Sequence, residues 1–292
     1  MFIQIIVNGV IASCIYTLYA IGFSLIYSTV GFFHFAHAAI FTAGAYLTFL
    51  FYNWGGLSLH MAVIISLILS SAIGCCMELF IYRPLRKKEA SPLSLLIASL
   101  GIYIVLQNLI SLIFGDYKKS LRSDSVQEGI SFFSARITPV QLIIIIIGFI
   151  LLVVLTIWIK KSKNGKQIRA VSNNPVLSNI VGVDSNKIIL TVFALGSVIA
   201  GLAGILVSFD VDMTPTMGMN ALMMGVVVTI IGGIGSIPGV VLGSFLLGMS
   251  QHFSIWILDS QWQETVAFII LLLFLLFRPQ GFLGKTIKKV TI

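Results

Sequence analysis

The sequence predicts an all-α, polytopic membrane protein, and two observations about its charged residues carry that prediction. Of its 292 residues, 58% are hydrophobic and only 10% are charged, with a mean hydropathy of +1.06. Soluble proteins average about 25% charged residues, so this chain is not an ordinary soluble domain. In addition, residues 1–77 contain no Asp, Glu, Lys or Arg. An uncharged run of that length predicts several consecutive transmembrane helices.

A transmembrane helix needs roughly 20 apolar residues, and this measure divides the chain into spans. Seven are predicted at 5–27, 35–51, 61–82, 92–114, 139–159, 188–208 and 265–277. The uncharged stretch 213–258 is too long for one span and contains the Gly/Pro-rich segment 232–239, so we expect a short span, a turn and a second span there. The prediction is one transmembrane domain over residues 1–292 with about nine crossings. Eight crossings plus a re-entrant segment is the alternative.

The distribution of positive charge predicts the orientation. Segments 83–88, 160–187 and 278–289 hold 14 of the 18 Lys and Arg residues. Because short cytoplasmic loops are enriched in these residues, all three segments are predicted to be cytoplasmic. Nine crossings then place the N-terminus outside and the C-terminus in the cytoplasm. The net charge of +8 is explained by orientation, so nucleic acid is not expected as a partner.

Two histidines stand out at the start of the second span. His34 and His37 flank Phe35 and lie three residues apart, which places them on one helix face. Polar side chains are costly inside a membrane and usually face a cavity or another helix. The pair therefore lines a transport path or bonds neighbouring helices. A metal site would need a third ligand, and the sequence offers none nearby, so no metal is predicted.

The segment 232–239 predicts a break between two helices. Non-helical backbone at membrane depth must be buried in protein or line a wet cavity, and transporters bind substrates at such breaks. Gly232, Gly233 and Ser236 are therefore candidate path residues. Gly239 and Gly243, spaced by four, are typical of close helix packing instead.

Other polar residues occur inside predicted spans. Gln107 and Asn108 are adjacent amides that point in different directions, so at least one is predicted to face another helix or the substrate. Glu78 lies near the end of the third span, five residues before Arg83, and is expected to pair locally.

The basic segment 160–187 is longer than orientation alone requires. A short helix or two along the membrane surface is predicted, and a solvated basic loop is the alternative. Five apolar residues in it need a surface to pack against: Ile168, Val171, Leu177, Ile180 and Val181.

Seven short segments occur in an order that is typical of one transporter family. They are Asn8-Gly9 with Tyr16, Phe35-Ala36-His37, Glu78 with Tyr82-Arg83-Pro84-Leu85-Arg86, Gly165 with Arg169-Ala170 and Gly182, Ala200-Gly201-Leu202-Ala203-Gly204, Gly232-Gly233-Ile234-Gly235-Ser236-Ile237-Pro238-Gly239, and Phe277-Arg278-Pro279-Gln280-Gly281. With these segments the chain resembles the inner-membrane permease subunits of ABC importers for branched-chain amino acids, and it is more similar to the shorter of the two permeases. It departs from the family pattern at His34, usually Asn, and Ala38, usually Gly.

The resemblance implies a half-transporter of the bacterial inner membrane that is not itself an enzyme. Two permease chains, this one and a longer homologue, would surround the path, and a periplasmic binding protein would deliver the amino acid. Two cytoplasmic P-loop ATPases would bind ATP and Mg, so no cofactor is expected in this chain. They would dock on a coupling loop within 160–187 that includes Gly165, Arg169, Ala170, Asn174 and Gly182. The path would be bounded by His34, Phe35, His37, Gln107, Asn108, Gly232, Gly233 and Ser236.

Two alternatives remain open from the sequence. One is an ABC permease of the same family that moves urea, amides or other amino acids. The other is a stand-alone channel or ion-coupled carrier, which should have buried acidic residues for H⁺ or Na⁺ coupling. Glu78 is the one candidate for such a residue in the sequence.

Overall fold

The computed structural model describes residues 2–121, 129–132 and 135–284, and most of this part is helical. The α-helices in chain order are α1 Phe2–Val30, α2 Ala36–Phe49, α3 Leu59–Met77, α4 Arg83–Lys87, α5 Pro92–Phe114, α6 Pro139–Lys161, α7 Lys163–Asn173, α8 Pro175–Ile180, α9 Ser185–Asp210, α10 Met217–Gly232, α11 Ile237–Ile257 and α12 Gln263–Phe277. Turns of π-helix follow α2 (Leu50–Trp54) and α3 (Glu78–Tyr82), and a 3-10 turn (Ser260–Trp262) precedes α12. A small hairpin pairs β1 (Ile130–Phe132) antiparallel with β2 (Ala135–Ile137).

In the described part of the chain, seven helical segments are long and apolar enough to cross a membrane, which confirms the all-α polytopic class. They are α1, the continuous helix Leu59–Lys87, α5, α6, α9, α11 and Ser260–Phe277. The other two predicted spans correspond to α2, with 14 residues, and α10, with 16. At 1.5 Å per residue α10 is shorter than the roughly 30 Å hydrocarbon layer, and α2 is extended by the π turn Leu50–Trp54 that continues it.

The helices α1 and α9 form the centre of the bundle. Most of their length is buried, whereas α5, α6 and α12 are largely exposed. Helix α1 packs against α6, α9, α10 and α11, and α9 also packs against α2 and α3. Glycines permit the closest crossings: a Cβ added to Gly44 would lie 2.5 Å from the carbonyl oxygen of Gly201. Small residues at such crossings are typical of membrane helices.

The starts of several helices follow directly from local sequence. Ser91, Thr138 and Asn174 each accept a hydrogen bond from a backbone N–H in the first turn, and each is followed by proline at the first helical position. The capping side chain accepts from a backbone N–H that has no partner within the helix. The proline that follows has a φ suited to the first helical position and lacks an N–H that would need a partner.

The predicted break between two helices is present. Helix α10 ends at Gly232, and α11 begins at Ile237 with Ser236 as its cap. Between them Gly233 and Gly235 have φ of +95° and +76°, a region that favours glycine. Within 213–258 the structure therefore has the predicted turn between a shorter and a longer helix.

The ends of the bundle can be told apart by their contacts. Gln4 bonds the backbone of Arg136, and Lys119 forms a β-bridge with Met213, so these segments share one end. The hairpin lies between α5 and α6, in a stretch of which 122–128 and 133–134 fall outside the described residues. The predicted cytoplasmic lysines Lys285, Lys288 and Lys289 also lie outside them.

Candidate transport path and coupling surface

His34 is enclosed among aromatic rings at the start of α2. Its Nδ1 lies 3.1 Å from the Tyr82 hydroxyl and 3.4 Å from the Ser99 hydroxyl. The ring packs against Phe193 with centroids 5.2 Å apart. The Ser99 hydroxyl also accepts from the backbone N–H of Ala36. These contacts connect the turn before α2 to the π turn after α3, to α5 and to α9. His34 therefore bonds neighbouring helices, which is one of the two roles predicted for it.

His37 has a different environment from its neighbour. It is fully buried and stacks edge-on against Tyr19 at 5.0 Å, with Gly22 beside it. Among the described residues, neither Nε2 of His34 nor the Tyr19 hydroxyl has a hydrogen-bond partner. An unpaired polar atom in a buried site costs about 1–3 kcal/mol. The pair therefore forms a polar cluster at the junction of α1 and α2, while Phe35 between them is half-buried.

Gln107 and Asn108 lie in the second half of α5. The amide of Asn108 donates to the carbonyl of Ile104 at 2.7 Å within the same helix, and its side chain is exposed. Gln107 is half-buried. Asn108 shares its exposed face with Gly101, where an added Cβ would meet no heavy atom within 4 Å. The polar Asn108 and the small Gly101 are thus both exposed on a helix face that is otherwise apolar.

The break at 232–236 joins the C-terminal segment of the described chain. The carbonyls of Ile231 and Gly232 accept from the backbone N–H groups of Phe282 and Leu283 at 2.8 and 3.1 Å. The N–H of Gly235 donates to the Ser24 hydroxyl, and Ser236 caps α11. These carbonyls at the end of α10 are therefore satisfied by protein.

The predicted path residues thus occupy three separate places. The histidines lie inside the bundle, the amides lie on α5, and the break lies against residues 281–284. Among the described residues, no hydrogen bond or ring contact joins one group to another.

The segment 160–187 forms two short helices, as predicted, and α7 packs against the chain itself. Gly165 sits so close to the backbone of Ile159 that a Cβ would collide with it. Ile168 and Val171 are 3% and 0% exposed. The guanidinium of Arg169 donates to the carbonyl of Lys160 at 3.3 Å, and Ala170 is half-buried. Two of the five apolar residues therefore pack inside this chain.

Helix α8 is held in the opposite way, through its polar side chains. Ser178 is buried, and the Ser185 hydroxyl donates to the carbonyl of Pro175 at 2.9 Å. The side chain of Asn174 accepts from the N–H of Leu177 at 2.9 Å, while Gly182 ends the segment with φ of +87°. Four apolar side chains of this helix and its end are exposed: Val176, Leu177, Ile180 and Val181.

The structure adds side-chain contacts that the sequence did not predict. Tyr82 and Ser99 bind His34, and Glu78 is fully buried in a bidentate ion pair with Arg86. Glu78 thus pairs locally, but with Arg86 rather than Arg83, because the helix continues through the π turn and brings Arg86 back over the carboxylate. The hydroxyls gave no signal in the sequence, since serine and tyrosine are common in membrane helices.

Comparison with known proteins identifies the family. A family described as the permease component of branched-chain amino acid transport systems matches residues 5–275. The chain belongs to this family. It is 32% identical to the high-affinity branched-chain amino acid transport system permease protein LivH of Escherichia coli (strain K12), over 97% of this chain and 96% of that protein.

Two further relatives have similar coverage. The permease protein BraD of Pseudomonas aeruginosa is 33% identical over 97% of this chain and 96% of its own length. A probable branched-chain amino acid transport permease protein LivH of Methanocaldococcus jannaschii is 26% identical over 98% and 94%. No solved structure matches the chain.

Proposed function

We propose that this chain is the permease subunit of an ATP-driven importer of branched-chain amino acids. The family and the full-length relatives, whose names give this substrate class, support the proposal. The chain would act with a second, longer permease, a periplasmic binding protein and two P-loop ATPases, which would bind ATP and Mg. It would lie in the bacterial inner membrane and have no catalytic residues of its own.

The observation that carries the proposal is the orientation of α8. A surface helix normally buries its apolar side chains, yet here Ile180 is 76% exposed while Ser178 on the other side is buried. Exposed apolar clusters of this kind mark interaction sites. Hydrogen bonds from Asn174 and Ser185 hold the helix in place, so the surface is already formed before a partner binds. We infer that a partner ATPase seats on it.

Nine crossings, with the N-terminus outside, are part of the proposal. Gln4 lies at the same end as Arg136, before α6 begins. At the other end of α6, Lys160, Arg169 and Leu283 line one cavity, so the basic loop and the C-terminal segment lie together. The two termini of the described chain are therefore at opposite ends of the bundle, which supports an odd number of crossings and a common cytoplasmic side for the basic segments.

The path we propose runs along α5. Asn108 and Gly101 are uncovered there in this chain, and the second permease would close the path from the other side. ATP binding would rock the two permeases and expose the path alternately to each face. The His34 and His37 cluster and the break at Gly232, Gly233 and Ser236 would then be packed contacts between helices that move relative to one another.

Reconstitution with the partner subunits tests the docking surface. The Ile180→Asp variant should lose most ATP hydrolysis stimulated by the loaded binding protein, because a carboxylate replaces an apolar contact. Ile180→Leu keeps an apolar side chain of the same size and should retain the stimulated ATP hydrolysis. Both variants should insert at wild-type levels. Normal coupled hydrolysis in Ile180→Asp would remove α8 from the mechanism.

The same preparation separates the alternatives. Uptake without any ATPase would indicate a channel or ion-coupled carrier, for which Glu78 is poorly suited because its carboxylate is committed to Arg86. Calorimetry of the cognate binding protein against leucine, isoleucine, valine, urea and polar amino acids tests the substrate class. Heat only with urea, amides or polar amino acids would reassign the substrate within the family.

A further inference from the structure

A cavity of about 410 Å³ lies at the end of α6. It is bounded by the last turns of α1 and α6, by α7, by the turn before α11 and by Leu283. The polar side chains that line it include Ser28, Thr156, Lys160, Arg169, Ser172 and Ser236. A smaller cavity of about 80 Å³ shares Ser28, Arg169 and Ser172 with it and lies between α1, α6, α7 and α11, where most of the lining side chains are apolar.

The charge in this cavity is unbalanced. Lys160 and Arg169 both line it, and within the described part of the chain none of the lining residues is acidic. Neither cation has a carboxylate at salt-bridge distance among the described residues. The hydroxyl oxygen of Thr156 is shielded from solvent and has no hydrogen-bond partner in the part of the chain that the structure describes. Two cations and an unpaired hydroxyl on one cavity wall favour an anion with several acceptor oxygens.

The position of the cavity relative to the hydrocarbon layer narrows the choice of anion. Ile157 is exposed on the outer face of α6, near the end of its apolar run. That run ends at Ile159, and Lys160 and Lys161 come directly after it. The basic side chains therefore begin where the membrane-spanning part of α6 ends. Ile234 and Leu283, also on the wall, are exposed apolar residues. An occupant thus meets cations on one side and an apolar rim on the other.

We propose that this cavity binds the phosphodiester headgroup of an anionic phospholipid. The phosphate oxygens would bond the Lys160 ammonium, the Arg169 guanidinium and the Thr156 hydroxyl, while the acyl chains would lie against the apolar rim. Basic pockets between membrane helices are suited to anionic headgroups for this reason. The site goes beyond the proposed transport function, since it requires neither the amino acid nor ATP.

Native mass spectrometry of the full chain, released from nanodiscs, tests the site. The discs contain phosphatidylglycerol and phosphatidylcholine with identical acyl chains. Wild-type protein should retain phosphatidylglycerol at least tenfold over phosphatidylcholine. The double variant Lys160→Gln/Arg169→Gln should lose that preference, and Thr156→Val should weaken it severalfold without any change in charge. Equal retention of the two lipids by wild-type protein would overturn the proposal.

Matched controls separate this cavity from general surface attraction. Lys163→Gln/Lys166→Gln removes the same charge from exposed positions of α7 that do not line the cavity, and it should keep the preference. If this control loses as much of the preference for phosphatidylglycerol as the cavity variant does, the attraction is not specific to the cavity and the proposal is wrong.

Two further arms identify the source of the anion. Inorganic phosphate at millimolar concentration should not displace phosphatidylglycerol, and displacement would assign the cavity to a free anion. Assembly with the partner ATPases should leave the lipid bound. Loss of the lipid on assembly would assign the cavity to an acidic side chain of the partner and overturn the lipid as occupant.

Discussion

Helices α7 and α8 are neighbours in one basic loop, yet the chain uses their apolar side chains in opposite ways. Helix α7 turns Ile168 and Val171 into the bundle against α1, α6 and α9. Helix α8 turns Ile180 away from it, and Val181, directly after the helix, is 70% exposed. The loop is thus divided into a helix that is anchored by apolar burial and a helix that presents an apolar surface.

The difference shows how an exposed apolar surface can be held in place without a core of its own. Burial of apolar area anchors α7, since each buried aliphatic side chain contributes roughly 1.5–3 kcal/mol. Helix α8 has only six residues and relies on hydrogen bonds through Ser178, Ser185 and Asn179 to its own ends and to α9. Its apolar side remains available because polar contacts hold the other side. Movement of a partner on α8 would be passed to the bundle through α7 and α9.

The same substitution on each helix should give the sharpest contrast. Val171→Asp would bury an unpaired carboxylate against the bundle and should destabilise the protein by about 3–5 kcal/mol. Val181→Asp changes an exposed side chain and should alter stability by less than about 0.5 kcal/mol. Thermal unfolding of the two purified variants measures this. Similar melting temperatures would show that α7 is not anchored by burial.

A second comparison tests how tightly α7 is seated. Gly165→Ala introduces a methyl group into the backbone of Ile159, which cannot move aside, and should cost about 1–3 kcal/mol. Gly101→Ala is the control, because its methyl group meets nothing in this chain and should raise helix stability by about 1 kcal/mol. Unfolding temperatures that shift in opposite directions are expected. A Gly165→Ala variant as stable as wild type would mean that α7 is seated more loosely.

The link between α7 and α1 should have a smaller effect. The Ser172 hydroxyl donates to the carbonyl of Ser28 at 2.5 Å, and Ser172→Ala should cost about 1 kcal/mol. Ser94→Ala, at an exposed position on α5, serves as the control. Hydrogen exchange of the α7 amides should increase in Ser172→Ala alone. Unchanged exchange would show that apolar burial is sufficient to hold the helix.

Much of the fold could be predicted because local rules set it. Uncharged runs located the spans, and the glycines and proline at 232–239 located the break, since few other residues adopt the backbone of Gly233 and Gly235. The limits of α2 were less predictable. This helix is shorter than its predicted span of 35–51 and continues as a π turn, which its uniform apolar sequence does not reveal.

The candidate sites were less predictable because they depend on contacts between distant segments. The sequence indicated that Ile168 and Ile180 needed a surface, but not that one packs on the bundle and the other remains exposed. Similarly, His34 was a candidate, yet its partners Tyr82 and Ser99 lie 48 and 65 residues away. Only the packing of α3 and α5 around α2 brings them together.

The smallest expected effect concerns the residue that follows α8 and begins α9. The carboxylate of Asp184 accepts from the backbone N–H groups of Lys187 and Asn186 at 3.2 and 3.0 Å, and the first of these bonds contributes most to lowering the pKa of Asp184 below its ordinary value. A lowered pKa in the folded state means that this stabilisation is present above the ordinary pKa and is lost as the pH falls through the lowered value. Because Asp184 is solvent-exposed, the change should be slight. Asp184→Asn keeps a capping side chain but cannot titrate. Hydrogen exchange of the first amides of α9, measured between pH 7 and pH 3, reports the stability of this end of the helix. In the variant this stability should no longer depend on the titration of residue 184. Equal acid sensitivity in both proteins would show that a carboxylate other than Asp184 responds to acid.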